Sequence, residues 1–148
     1  MNKKTPKTTI ELSNSEEETY SLGFELGKSL KGGEVIALEG RLGAGKTVFT
    51  KGLAAALGVK VPVTSPTFTI LNVYEGESLK VYHIDAYRLH GGEEAYNAGL
   101  TEFFEAKNGV CVIEWASNIE SALPIEYKKI SFSYFGENVR EIKYEFYE

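Results

Sequence analysis

The segment Gly40-Arg-Leu-Gly-Ala-Gly-Lys-Thr47 decides the fold of this 148-residue chain. It matches the phosphate-binding pattern Gly-x-x-x-x-Gly-Lys-Thr at every required position. The apolar run at residues 35–39 predicts a buried strand before it, and the run at residues 47–57 predicts a helix after it, ended by Gly58. Because strand, glycine-rich turn and helix follow one another, we interpret the segment as a phosphate-binding loop. The alternative is an ordinary glycine-rich turn between packed elements.

The chemistry of such a loop explains its spacing. Glycines allow successive backbone N–H groups to turn toward a phosphate, and the following helix adds the partial positive charge of its N-terminus. Lys46 is expected to span the β- and γ-phosphates, and the hydroxyl of Thr47 to coordinate Mg²⁺. Arg41 is interpreted as a solvated charge and not as a phosphate contact, since the loop backbone already supplies the donors. The predicted nucleotide-binding residues of the loop are Gly43, Ala44, Gly45, Lys46, Thr47 and Val48.

The rest of the chain predicts an α/β fold. Ser15 and Glu18 have capping-box spacing and start a first helix that ends near Gly32. Later segments predict strands at 67–74 and 80–85, a helix at 93–107, a strand at 110–114 and alternating strands at 130–134 and 142–146. The strands on either side of the helix at 93–107 should run parallel, and the last two should form an antiparallel hairpin at the far edge of the sheet. We expect a three-layer domain of the P-loop NTPase type, with a mixed, mainly parallel central sheet and this C-terminal antiparallel hairpin.

Length and composition indicate one domain at residues 10–148, preceded by a flexible polar arm at residues 1–9. The net charge of −5 argues against a basic face that binds nucleic acid by itself. No apolar stretch approaches the ~20 residues that span a bilayer, so we expect a cytoplasmic protein without membrane contact. The one cysteine, Cys111, lies in an apolar run and is expected to be buried.

Two carboxylates, Asp85 and Glu114, end predicted strands that run parallel. Because ligands bind beyond the carboxyl ends of parallel strands, both are expected beside Mg²⁺, as metal-binding and catalytic groups together with Lys46. Glu114 is the better candidate for orienting the attacking water, although either carboxylate could bind the metal directly. His83 either hydrogen-bonds to Asp85 or is an ordinary core histidine. Trp115 either covers the site or fills the core.

Three segments of the chain together resemble one family. They are GRLGAGKT at residues 40–47, SPTF at residues 65–68 with HIDAYR at residues 83–88, and IEW at residues 113–115. In this order and spacing, over about residues 13–135, they are similar to TsaE, the bacterial ATPase needed for threonylcarbamoyladenosine modification of tRNA. The short motifs are specific only in combination with the P-loop. One departure is Arg41, where many relatives carry Asp, and it affects only details of the loop.

The resemblance implies that the nucleotide is ATP and that the protein alone hydrolyses it slowly. It also implies work with the TsaB and TsaD proteins, which perform the transfer of threonylcarbamoyl to adenosine, and contact with tRNA only through that complex. It assigns phosphate and metal binding to Lys46 and Thr47, and the metal and water site to Asp85 and Glu114. Residues 65–68 would form a switch that senses the γ-phosphate, with Thr67 as its hydroxyl contact.

Two other functions compete with a tRNA-modification ATPase. A small-molecule kinase would use the same loop to pass the γ-phosphate to a metabolite. Against it, the region after the loop helix shows no arginine-rich lid, and 148 residues leave little room for an acceptor pocket. A nucleotide-sensing module would bind ATP without turnover.

Overall fold

The computed structural model describes residues 5–41, 45–64, 66 and 70–148. Gly43, Ala44 and Thr67, three of the predicted nucleotide-binding residues, lie outside the described residues, as does the predicted switch except for Pro66. The described strands are β1 (Lys7–Ser13), β2 (Val35–Gly40), β3 (Leu71–Tyr74), β4 (Lys80–Asp85), β5 (Gly109–Glu114), β6 (Tyr127–Tyr134) and β7 (Arg140–Tyr147). The described α-helices are α1 (Glu16–Ser29), α2 (Lys46–Ala56) and α3 (Gly92–Asn97), and 3₁₀ helices span Leu100–Glu105 and Ala116–Ala122.

One sheet joins the described strands in the order β1-β7-β6-β2-β5-β4-β3. Its four central strands, from β6 through β2 and β5 to β4, are parallel. Antiparallel strands are added on both sides, with β3 next to β4 and with β7 and β1 beyond β6. The apolar runs 35–38 and 110–113 are almost fully buried, as expected for parallel strands covered by helices. The α/β fold, the mainly parallel centre and the C-terminal antiparallel pair are confirmed.

Buried clusters lie on both faces of the central strands. On one face, Phe49 of α2 shares a cluster with Leu38 of β2. On the other face, Ala95 of α3 shares a cluster with Ala37 of β2. β2, the strand before the predicted phosphate loop, is therefore packed on both faces.

The helices α1 and α2 approach each other closely at glycines. A Cβ atom on Gly23 of α1 would collide with the carbonyl oxygen of Phe49. A Cβ atom on Gly52 of α2 would collide with the carbonyl oxygen of Tyr20. The predicted start of α1 is confirmed, since the Ser15 hydroxyl accepts a hydrogen bond of 3.1 Å from the N–H of Glu18.

The N-terminal boundary and the edge of the sheet were predicted wrongly. β1 begins at Lys7 and pairs with β7, so Lys7, Thr8 and Thr9 belong to the sheet and not to a loose arm. For the same reason the hairpin of β6 and β7 is not at the edge, because β1 lies outside it. β1 pairs with the outer side of β7 through backbone hydrogen bonds, so its side chains can stay exposed to solvent.

The predicted helix at residues 93–107 is also wrong, because it is divided in two. α3 ends at Asn97, and Gly99 adopts a φ of 78° before a 3₁₀ helix begins at Leu100. A residue in the left-handed region cannot continue an α-helix.

Among the helices of the described residues, none is both long and apolar enough to cross a membrane.

Cys111 is buried in the centre of β5, as predicted. Burial raises the pKa of its thiol well above the ordinary value, because a thiolate would have no solvent there. Since the thiolate is the reactive form, Cys111 has a packing role in the folded chain.

Candidate functional site

The predicted phosphate loop connects β2 to α2 at the centre of the sheet. Gly45, the residue before α2, has a φ of 109°, in the left-handed region that favours glycine. No acidic side chain stands in the first turn of α2, so the helix N-terminus keeps its partial positive charge. This end of α2 is therefore suited to bind an anion such as phosphate.

Lys46, the first residue of α2, and Glu114, the last residue of β5, form a buried pair. Each is only 5% exposed, and Lys46 Nζ lies 3.9 Å from Glu114 Oε1. Glu114 is paired with Leu38 near the end of β2, which brings its carboxylate to the loop side of the sheet. Either charge alone would be costly to bury, and each stabilises the other. The structure thus brings together two of the three predicted catalytic residues.

The ring of Trp115 covers Lys46. Lys46 Nζ lies 4.6 Å from the centroid of the indole ring, within the range of a cation–π contact. The ring of Tyr87 meets the indole edge-on, with the centroids 5.1 Å apart. Trp115 is also partly buried against the cluster that contains Ala95, so it both covers the site and packs on the core. Its φ of 59° makes it the only residue other than glycine with a positive φ in the described part of the chain.

His83 hydrogen-bonds to Glu114. One interpretation of the sequence predicted a hydrogen bond to Asp85 instead, and it is wrong. His83 Nε2 lies 2.7 Å from Glu114 Oε2, and His83 is fully buried. The register explains the difference, because β4 and β5 place Val112 opposite His83 and Glu114 opposite Asp85. The imidazole therefore reaches the carboxylate on the next strand, diagonally across the parallel pair. Strand alternation alone showed only that His83 and Asp85 share a face.

A cleft of about 480 Å³ opens beside the Lys46–Glu114 pair. Its described lining residues are Asn14, Ser15, Glu16, Thr19, Gly45, Lys46, Thr47, Val48, Glu114, Asn138 and Arg140. The cleft thus runs from the start of α2 to the start of α1 and the turn between β6 and β7. The Arg140 guanidinium lies 4.1 Å from the centroid of the Tyr134 ring, which holds Arg140 at the rim. Arg41 is exposed to solvent, as expected for a solvated charge.

Sequence reasoning missed three of the residues that line this cleft, Thr19, Asn138 and Arg140. Only the capping position of Ser15 marked one end of it in the sequence. Thr19 is buried, and its hydroxyl lies 2.7 Å from the hydroxyl of Ser13. These residues come from segments far apart in the chain, and no short motif connects them.

Asp85 ends β4 directly beside Glu114, its partner in the parallel pair. Its Oδ1 accepts a hydrogen bond of 2.9 Å from the N–H of Tyr87, which fixes the carboxylate at the strand end. Asp85 is half-buried and lies outside the described lining of the cleft, to which Glu114 belongs. The two predicted carboxylates are therefore neighbours with different surroundings.

The oxygen donors at this edge of the sheet fit Mg²⁺. The hydroxyl of Thr47 and the carboxylates of Asp85 and Glu114 are hard oxygen ligands of the kind this ion prefers. Across residues 5–41, 45–64, 66 and 70–148, no group of three or more His, Cys, Asp or Glu side chains could hold a metal ion by itself.

Comparisons with known proteins point to one family. The model of the family described as "Threonylcarbamoyl adenosine biosynthesis protein TsaE" matches residues 13–142. The TsaE protein of Bacillus subtilis is 44% identical over 128 residues, which cover 86% of this chain and 79% of that protein. The TsaE protein of Treponema pallidum is 44% identical over 131 residues, covering 88% and 96%. The crystal structure of Bacillus subtilis YdiB superposes with a TM-score of 0.81 at 36% identity, covering 98% of this chain and 89% of that one.

Proposed function

The chain belongs to the TsaE family of tRNA threonylcarbamoyladenosine biosynthesis proteins, and from this premise we propose that it binds ATP with Mg²⁺ and hydrolyses it for that modification. The observation that carries the proposal is the buried Lys46–Glu114 pair, 3.9 Å apart at the N-terminus of α2 and open to a cleft. A cation, a carboxylate and an anion-binding helix end in one place are the parts that phosphoryl transfer to water needs.

Each part of the loop has a role in this proposal. The backbone N–H groups of residues 43–48 would bind the phosphates, and Lys46 would contact the β- and γ-phosphates. Thr47, Asp85 and Glu114 would hold Mg²⁺, which when bound neutralises charge that develops on the phosphate oxygens. Glu114 also orients the attacking water, since it is the carboxylate that lines the cleft. Thr67 senses the γ-phosphate from the switch at residues 65–68.

The cleft suits a ligand larger than phosphate. Its volume of about 480 Å³ lies within the ~300–1,000 Å³ typical of small-molecule sites. We assign the side of the cleft lined by Asn138 and Arg140 to the nucleoside part of ATP. Polar side chains from the start of α1 and the turn between β6 and β7 would then fix the orientation of the nucleotide.

The proposed partners are TsaB and TsaD, and the proposed compartment is the cytoplasm. The net charge of −5 supports contact with tRNA through this complex and not by the chain alone, because counterion release needs a basic face. Slow hydrolysis by the isolated chain, stimulated by the partners, would make the protein a switch in the modification cycle.

Phosphate release distinguishes this function from its competitors. Release would be measured with the protein alone, with candidate metabolites, and with purified TsaB and TsaD, each beside Lys46→Ala as the matched inactive control. The proposal requires release that the two proteins stimulate and that Lys46→Ala abolishes. Phosphate found on a metabolite would instead identify a kinase, and tight binding without turnover under any condition a nucleotide sensor.

A further inference from the structure

The two oxygens of the Glu114 carboxylate have different neighbours. Oε2 lies 2.7 Å from His83 Nε2, inside the sheet, and Oε1 lies 3.9 Å from Lys46 Nζ, at the cleft. Glu114 is 5% exposed and His83 0% exposed, so water does not compete for the inner contact. The carboxylate is thus held by one oxygen while the other faces the predicted phosphate site.

The direction of the inner hydrogen bond depends on the charge of the carboxylate. With Glu114 ionised, its oxygens only accept hydrogen bonds, so the imidazole would donate from Nε2. In the neutral ring Nδ1 is then an acceptor, and within the described residues it has no hydrogen-bond partner.

We propose that His83 is a positioning residue, whose Nε2–H holds Glu114 Oε2 so that Oε1 stays directed toward the cleft beside Lys46. The inference rests on the proposed ATPase, in which Glu114 orients the attacking water. The terminal torsion of a glutamate is broad, so an unheld carboxylate would rotate away from the geometry that aligns the water. His83 therefore acts on turnover and leaves nucleotide binding to the loop.

Three substitutions of His83 distinguish the effect of a correctly placed hydrogen-bond donor from the effects of side-chain polarity and side-chain volume. His83→Gln places an amide N–H near the position of Nε2, His83→Asn places it near Nδ1 and out of reach of Glu114, and His83→Leu removes the donor. We expect Gln to retain most of the turnover, and Asn and Leu to lower kcat by about 10–100-fold, the usual loss for an outer partner of a metal site. KM for ATP and the ATP-binding constant should stay within a small factor of wild type. Thermal unfolding of each variant verifies that the chain is folded.

A second readout is independent of turnover. The chain has two histidines, so the ¹⁵N imidazole signals are few, and His90→Ala, at an exposed residue outside the site, assigns them. We expect His83 in the Nε2–H tautomer with a solvent-protected proton, and a shifted signal in Glu114→Gln.

The outcomes distinguish this inference from the proposed function. Three results would each refute the role of His83 and leave the proposed ATPase intact. They are turnover in His83→Asn and His83→Leu equal to wild type, turnover in His83→Gln no higher than in His83→Asn, and the Nδ1–H tautomer of His83. A wild-type protein that releases no phosphate, even with TsaB and TsaD, would overturn the ATPase and with it any part of His83 in it.

Discussion

Lys46 Nζ lies 4.6 Å from the centroid of the Trp115 ring, so the proposed phosphate-binding lysine touches the only tryptophan of the chain. A polyphosphate that draws the ammonium toward itself would weaken this cation–π contact and change the surroundings of the indole. We therefore predict a saturable change in Trp115 fluorescence when ATP and Mg²⁺ are added. Lys46→Ala is the control and should show no saturable change. An equal response from that variant would show that the signal does not come from this contact.

Lys46 and Glu114 should contribute to different steps. Lys46→Ala should weaken ATP binding by about 100-fold or more, since each charge-assisted hydrogen bond contributes about 1.5–3 kcal/mol. Glu114→Ala, and the closer isostere Glu114→Gln, should keep binding while hydrolysis falls by about 10²–10⁴-fold, the usual contribution of a group that activates water. Calorimetry and phosphate release measure the two quantities. Equal loss of binding at both positions would contradict this division.

Asp85 should affect the metal more than the nucleotide. In Asp85→Asn the side-chain oxygen that accepts from the Tyr87 N–H is retained, but the negative charge is removed. We predict that the Mg²⁺ concentration for half-maximal hydrolysis rises by about 10–100-fold, while saturating Mg²⁺ restores most of the activity. A magnesium titration of both proteins measures this. An unchanged midpoint would exclude Asp85 from the metal site.

Gly23 should be intolerant of a methyl group. Alanine is favoured over glycine in a helix by about 1 kcal/mol, yet a Cβ atom here would collide with the carbonyl oxygen of Phe49. We predict that Gly23→Ala lowers the free energy of unfolding by about 1–3 kcal/mol, as overpacking typically does. Gly136→Ala is the matched control, because its nearest contact would be an ordinary 3.8 Å from Val139. Denaturant unfolding of both variants would refute the prediction if Gly23→Ala were as stable as the control.

The centre of the fold could be predicted from the sequence because its signals are local. The apolar run at 35–38 and the capping position of Ser15 each specify structure within a few residues. The β1 edge of the sheet could not be predicted, because β1 is almost wholly exposed and is held by backbone pairing with a strand more than a hundred residues away. The break at Gly99 was missed because a single glycine within a helical pattern does not show whether the chain adopts a positive φ there.

The candidate site, too, could be predicted from the sequence only where the signal is local. The motif identified Lys46 and the strand-end rule identified Asp85 and Glu114, because both depend on position along one element. Which carboxylate faces the cleft, and which one His83 contacts, depends on the register of β4 against β5, for which the sequence has no local signal.

The start of α2 and the strand ends beside it are proposed to bind ATP together with a divalent ion. Isothermal titration of the folded protein and of Lys46→Ala with ATP, first in Mg²⁺ and then with EDTA in place of Mg²⁺, measures this binding. We expect one site per chain whose affinity depends on Mg²⁺ and is lost in the variant. Folded wild-type protein that takes up no ATP in the presence of Mg²⁺ would refute the proposal.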